Sequence, residues 1–142
     1  MTTIDKTQGR RPDGVDDTTV EAVGALTEAL ETTERARGAL YDFHQLTGSA
    51  DEKVAHAVEL LRAAGHAYLA DRVEQELVGR NVVDGRWTFQ LVEDYDDGYY
   101  ALFRSLERTA RDRLLGGQRH VYESELKVRN TTTGEPGHEL DP

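Results

Sequence analysis

Apolar residues that recur at alternating steps of three and four constrain this chain more than any other feature. Val23, Leu26, Leu30, Thr33, Arg37, Leu40, His44 and Thr47 keep that rhythm, which puts them on one face of a helix. Tyr41, Phe43 and Leu46 broaden the face toward its end. Ahead of it, Thr18-Thr19-Val20-Glu21 has the form of a capping box, a hydroxyl able to accept from the third helical N–H and a carboxylate able to reach back. The spacing therefore predicts a helix from Thr18. Gly48 is placed to stop it in the left-handed conformation that glycine adopts at low cost.

Ser49-Ala50-Asp51-Glu52 repeats the capping pattern at once, so a sharp turn and an antiparallel helical hairpin are expected there. The second helix carries Val54, Ala57, Val58, Leu61, Ala64, Gly65, Tyr68, Leu69, Val73 and Leu77 at helical spacing and ends near Gly79. Residues 79–85 read as a loop, with a short two-strand excursion as the alternative. A third helix begins near Trp87 or Thr88, with Val92, Tyr95, Tyr99, Leu102 and Leu106 in strict three-four steps. Gly116-Gly117 should break it, leaving 118–129 for a shorter fourth helix that carries His120, Val121, Tyr122 and Leu126. The expected fold is all-α: three long helices plus a shorter fourth in an antiparallel bundle. This helical domain spans 17–129, between a disordered N-terminal segment, 1–16, and a flexible tail, 130–142.

Composition narrows the chemistry. A chain of 142 residues is long enough for one domain with its own core. With no cysteine, disulfides, thiol catalysis and thiolate metal sites are all excluded, so a metal would be held by His, Asp and Glu. The net charge of -10 argues against nucleic acid as a partner, since binding phosphates needs basic surface. No apolar run approaches the roughly 20 residues of a membrane span, and the first residues have no signal-like apolar core, so a cytoplasmic location is expected.

Two constellations carry candidate function. On the second helix Glu52, His56 and Glu59 fall at i, i+4 and i+7; His120 and Glu123 form a second His-x-x-Glu pair; Glu93 and Asp97 share a face of the third helix. Converging in a bundle, these seven residues would make a carboxylate and imidazole metal site of the kind that binds iron, manganese or zinc. Among these seven residues neither Glu-x-x-His nor His-Glu-x-x-His occurs, the orders in which helical metal sites are usually written. The other constellation is aromatic and acidic. Arg86, Trp87, Tyr95, Tyr99 and Tyr100 are of the residue types that anchor protein interfaces.

Charge along the third helix is split. Glu93, Asp94, Asp96 and Asp97 crowd its first half, whereas Arg104, Arg108, Arg111 and Arg113 crowd its second, an arrangement that complements the helix dipole and suits antiparallel pairing of two copies. Arg37 and His44 lie on the buried stripe of the first helix. An inward Arg37 calls for an acidic partner such as Asp97 or Glu93. With no phosphate loop and no Ser-His-Asp array, the chain reads as a helical interaction or structural protein that self-associates into a homodimer or binds another protein, rather than as an enzyme. A metal-binding helical bundle is the alternative. No cofactor is specified by any motif.

Overall fold

The computed structural model describes residues 10–140; the first nine residues of the expected disordered segment and the last two of the expected tail lie outside the described residues. The described chain is all-α, as expected. It comprises α1 (Asp17–Ala63), α2 (Ala67–Glu76), α3 (Thr88–Tyr95), a π-helical turn (Asp96–Tyr100), α4 (Ala101–Leu115) and α5 (Val121–Asn130). Among the described residues β pairing is limited to one isolated antiparallel bridge, Val83 with Arg86, in the loop before α3.

The chain divides into two compact units. A terminal unit combines Met1–Thr33 with Ala101–Pro142, and a central unit consists of Glu34–Tyr100. In the terminal unit Val20 and Val23 of α1 meet Leu115 at the end of α4 and Val121 at the start of α5, forming one buried cluster on which Val15 packs. Thr27 on α1 donates from its hydroxyl to Glu107 Oε1 on α4 at 3.1 Å, about two turns along each helix from Val20 and Leu115 of that cluster, so these two segments run antiparallel. Close approach of α1 and α5 depends on Gly24: a Cβ there would stand 2.9 Å from Tyr122 Cβ.

The central unit is held differently. Arg37 and His44 on α1 reach Asp96 and Thr88, respectively, so the residues after Glu34 are also antiparallel to α3 and its π turn. α2 folds back on the end of α1, where Arg62 donates to Asp71 at 2.6 Å and to Glu74. Buried apolar residues in this unit are few: Val58, Ala70 and Val92.

Three expectations about where helices stop, start and face are corrected. The first concerns Gly48 and Ser49, which lie inside α1; no turn and no new helix occurs there. The inward stripe explains why. After Thr47 it continues through Asp51, Val54, Val58 and Leu61 in the same three-four rhythm, and each of these is half-buried or buried. A helix-interior glycine costs about 1 kcal/mol against alanine, less than the burial of the Val and Leu side chains that the continued stripe secures. The stop falls instead at Gly65. With φ of +87°, it allows the His66 N–H to reach the Leu61 carbonyl at 2.9 Å while the Gly65 N–H reaches Arg62 at 3.0 Å, the paired bonds of a Schellman ending.

The second correction is the cap of α1. Asp16, not Thr18, provides it: its carboxylate accepts from the Thr19 N–H at 2.8 Å, and this bonding holds the Asp16 carboxyl below its ordinary pKa.

The third concerns the stripe of the third stretch, expected to run through Tyr99, Leu102 and Leu106. Those three are exposed, at 59%, 59% and 56%. Up to the turn the expected face holds, with Val92 buried and Tyr95 half-buried; beyond it the residues turned away from solvent are Tyr100, Phe103 and Glu107, each one position later than Tyr99, Leu102 and Leu106. The π turn Asp96–Tyr100 is the cause, because it inserts one residue into the helical repeat and rotates everything after it by about 100°. Gly98 sits within that turn, and no atom lies within 4 Å of where its Cβ would be, so it marks the change of repeat rather than a close contact. Gly116 and Gly117, both at positive φ, end α4 as expected.

Candidate functional site

The expected metal ligands do not form one group. His56 and Glu59 make an exposed pair on α1, Nδ1 to Oε2 at 3.5 Å, and Glu52, Glu93 and Asp97 are likewise exposed. His120 and Glu123, at the start of α5, form a second exposed pair at 3.9 Å. A third ligand joins that pair from α1. Glu31, His120 and Glu123 present ligand atoms all within 4.8 Å of one another, the one such group of three among the described residues. Sequence spacing could not find Glu31, which lies far from His120 along the chain and meets it only through packing of α1 against α5 within the terminal unit. His120 is also the only non-glycine described residue at positive φ, 57°, a conformation that histidine tolerates better than β-branched residues do.

The aromatic and acidic residues of the central unit form a second assembly. Arg37 donates bidentately to Asp96, Nε to Oδ1 at 2.6 Å and Nη2 to Oδ2 at 3.1 Å. Its guanidinium carbon also lies 5.0 Å from the centre of the Tyr41 ring and 5.2 Å from that of Tyr100. Tyr95 stacks on Tyr100 at 6.2 Å and lies 6.0 Å from Tyr99. The Tyr100 hydroxyl donates to Glu34. Arg37 thus has the acidic partner its position demanded, but the partner is Asp96 rather than Asp97 or Glu93. Each charge shifts the other: Arg37 holds the Asp96 carboxyl below the ordinary carboxylate range, and Asp96 raises the guanidinium pKa.

His44, expected in the core, is half-buried, and its Nδ1 shares a hydrogen bond with Thr88 Oγ1 at 2.6 Å. Of the expected interface residues, Arg86 pairs with Asp94, and Tyr95 and Tyr100 are half-buried in the cluster around Arg37. Trp87 and Tyr99 stay exposed, Trp87 at 58% with its ring 5.2 Å from that of Phe89.

One face of α1 carries a feature that the sequence reading passed over. Beside the inward stripe runs a second one, Ala36, Ala39, Phe43, Leu46, Ala50, Lys53, Ala57 and Leu60, also in three-four steps, and every member is exposed. Leu46 is exposed to 67% and Leu60 to 57%. Apart from Lys53 the stripe is apolar throughout.

No protein-family model matches this chain, and no curated protein or solved structure matches it. Among the described residues no helix is long and apolar enough to cross a membrane.

Proposed function

We propose that this chain is a self-associating helical interaction protein whose central unit pairs with a second copy along the outer stripe of α1. The observation that carries this reading is the stripe itself. Eight positions keep the a and d spacing of a coiled coil over four heptads, and all of them face solvent in the single chain. Four heptads are enough for a stable seam.

Self-complementarity favours a second copy over another partner. Paired antiparallel, Leu60 meets Ala36, Leu46 meets Ala50, Ala57 meets Ala39, and Lys53 meets Phe43 with Asp42 beside it. Each leucine then fills the space above an alanine, and the lysine gains an aromatic face and a carboxylate. Paired parallel and in register, Lys53 would meet Lys53. Trp87 and Tyr99 are the third-stretch residues that this reading keeps as candidate contacts, because they are the exposed ones.

Sedimentation equilibrium tests the reading. A dimer is expected, converted to monomer by Leu46→Glu and much less affected by Leu102→Glu, which places the same charge on an exposed leucine of the terminal unit. Because association couples to stability, the wild-type melting temperature should also rise with protein concentration. A strict monomer with a concentration-independent melting temperature overturns it.

A second reading, a divalent-cation protein, is favoured by the Glu31, His120 and Glu123 group, one imidazole and two carboxylates of the mixed kind that suits zinc or manganese. Elemental analysis of the purified protein should then find a stoichiometric metal that His120→Ala removes; a metal-free protein that also fails to take up zinc counts against it.

A further inference from the structure

Packing does not explain Gly48. It lies in the interior of α1, where glycine is the poorest choice after proline, yet nothing stands within 4 Å of where its Cβ would be. The space it leaves open belongs to a groove between α1 and the loop before α3. One lobe of the groove, about 290 Å³, is lined by Gly48 itself with Trp87, Thr88 and Phe89. A second lobe, about 300 Å³, is lined by Ala50, Val54 and Leu77. Both are also lined by Thr47, Asp51, Arg80, Asn81 and Val82, so they are parts of one depression, and all of it lies in the central unit. Of the whole lining only Ala50 belongs to the outer stripe of α1.

Most of the wall is apolar and a few polar groups converge on it, the composition of a small-ligand site. Leu77 and Val82 leave about half of their surface in water, 49% and 52%, and the Trp87 and Phe89 rings stand together at the other end. The polar groups carry opposite charges. Asp51 Oδ1 accepts from the Gly79 N–H at 2.8 Å, which fixes the carboxylate where both lobes meet it; a carboxylate held by one such bond can accept from further donors. Arg80, next along the chain, brings a planar fork of N–H donors to the same lining. Among the described residues no ion pair joins the two, so the groove presents an acceptor and a donor as separate groups.

We infer that this groove binds a small zwitterion with an apolar side chain, the chemistry of a free apolar amino acid. The ligand's ammonium donates to Asp51, its carboxylate takes paired N–H donors from Arg80, and its side chain covers Leu77 and Val82 or reaches the Trp87 ring. A ligand carrying only one of the two charges matches only one of the two groups. The missing side chain at position 48 keeps the aromatic lobe open, which gives the helix-weakening glycine a use.

Titration with L-leucine and L-phenylalanine, followed by calorimetry and by the fluorescence of Trp87, tests the inference. Isoamylamine, which has the ammonium alone, 4-methylpentanoate, which has the carboxylate alone, and glycine, which has no side chain, are the comparators. Saturable binding of at least one of the two apolar amino acids at one site per chain is expected, about tenfold or more tighter than any comparator. Asp51→Asn keeps an oxygen for the Gly79 N–H and should weaken that binding about tenfold or more. Gly48→Leu should abolish it while the helical circular dichroism is retained and the melting temperature holds or rises, since leucine is a far better helix former than glycine. The inference is overturned if neither amino acid binds saturably, if the amine or the carboxylate alone binds as tightly, or if Gly48→Leu or Asp51→Asn binds as the wild type does.

Discussion

The terminal and central units solve the same packing problem with different means. In the terminal unit four apolar side chains from three helical segments, Val20, Val23, Leu115 and Val121, form one buried cluster. In the central unit Val58, Ala70 and Val92 belong to no such cluster, and the inward face of α1 is tied down by polar links instead, Arg37 to Asp96 and His44 to Thr88. Many of its large apolar side chains stay in water, among them Leu46, Leu60, Tyr68 and Leu77. Half-exposed polar links contribute little net stability each, because both partners are well solvated when apart. A helical unit stabilised mainly in that way is one that gains from a partner, whereas the terminal unit already holds its own core.

The largest test of that contrast is removal of a cluster side chain. Leu115→Ala should cost about 2–5 kcal/mol in urea unfolding followed by circular dichroism, the cost of deleting a buried leucine whose neighbours cannot collapse into the gap. The equivalent change at Leu46, Leu46→Ala, should cost far less in the monomer because the side chain is already exposed. Equal losses at the two positions would erase the distinction between the units.

Glycines in α1 give a smaller test with opposite signs. In the terminal unit the Cβ of Gly24→Ala would come within 2.9 Å of Tyr122 Cβ, an atom too close to its own backbone to move aside cheaply. Overpacking of about 1–3 kcal/mol then outweighs the gain of up to about 1 kcal/mol in helix propensity, so the variant is destabilised. In the central unit Gly48→Ala meets nothing within 4 Å and should stabilise by about 0.5–1 kcal/mol. That result also tests the continuity of α1. A helix that stopped at Gly48 in the left-handed conformation would be destabilised by the same substitution.

The same glycine shows how far the fold could be read from sequence. The all-α class and the stops at Gly116 and Gly117 follow from local chemistry, namely helical periodicity and paired glycines. What misled at Gly48 was also local: a glycine followed by Ser49-Ala50-Asp51-Glu52 has the form of a helix end and a new start. The information that overrides it is longer in range, the unbroken rhythm from Val23 to Leu61, which a turn at Gly48 would have reset. The face of α4 was illegible for a different reason. One residue inserted at Asp96–Tyr100 rotates the stripe, and periodicity read at a constant 3.6 residues per turn cannot register a π turn. The sites suffer in proportion. Arg37 could be assigned an acidic partner from its inward position, but which of the neighbouring acids it meets depends on how α1 packs on that stretch, and Glu31 joins His120 and Glu123 only through tertiary packing.

The smallest predicted effect concerns the polar link that stands in for a core. Arg37 donates to the Asp96 carboxylate and holds it below the ordinary range, whereas in the unfolded chain that carboxyl returns to about 3.9. A group whose pKa is lower in the folded state contributes stability that is fully present above its unfolded value and is lost as pH falls through its folded value. Acidification below about pH 4 should therefore weaken the central unit, with neutralisation of Asp96 as one cause. Asp96→Asn removes that part of the dependence while leaving the other depressed carboxyls, Asp16, Glu76 and Glu139, in place. The chain's single tryptophan, Trp87, belongs to the central unit, so its fluorescence follows this unit during urea unfolding. Between pH 5 and pH 3 the fluorescence midpoint should fall less in Asp96→Asn than in the wild type. Identical falls would mean that the Arg37–Asp96 link does not help hold α1 to the π turn, and that the thin apolar burial around Val58, Ala70 and Val92 suffices without it.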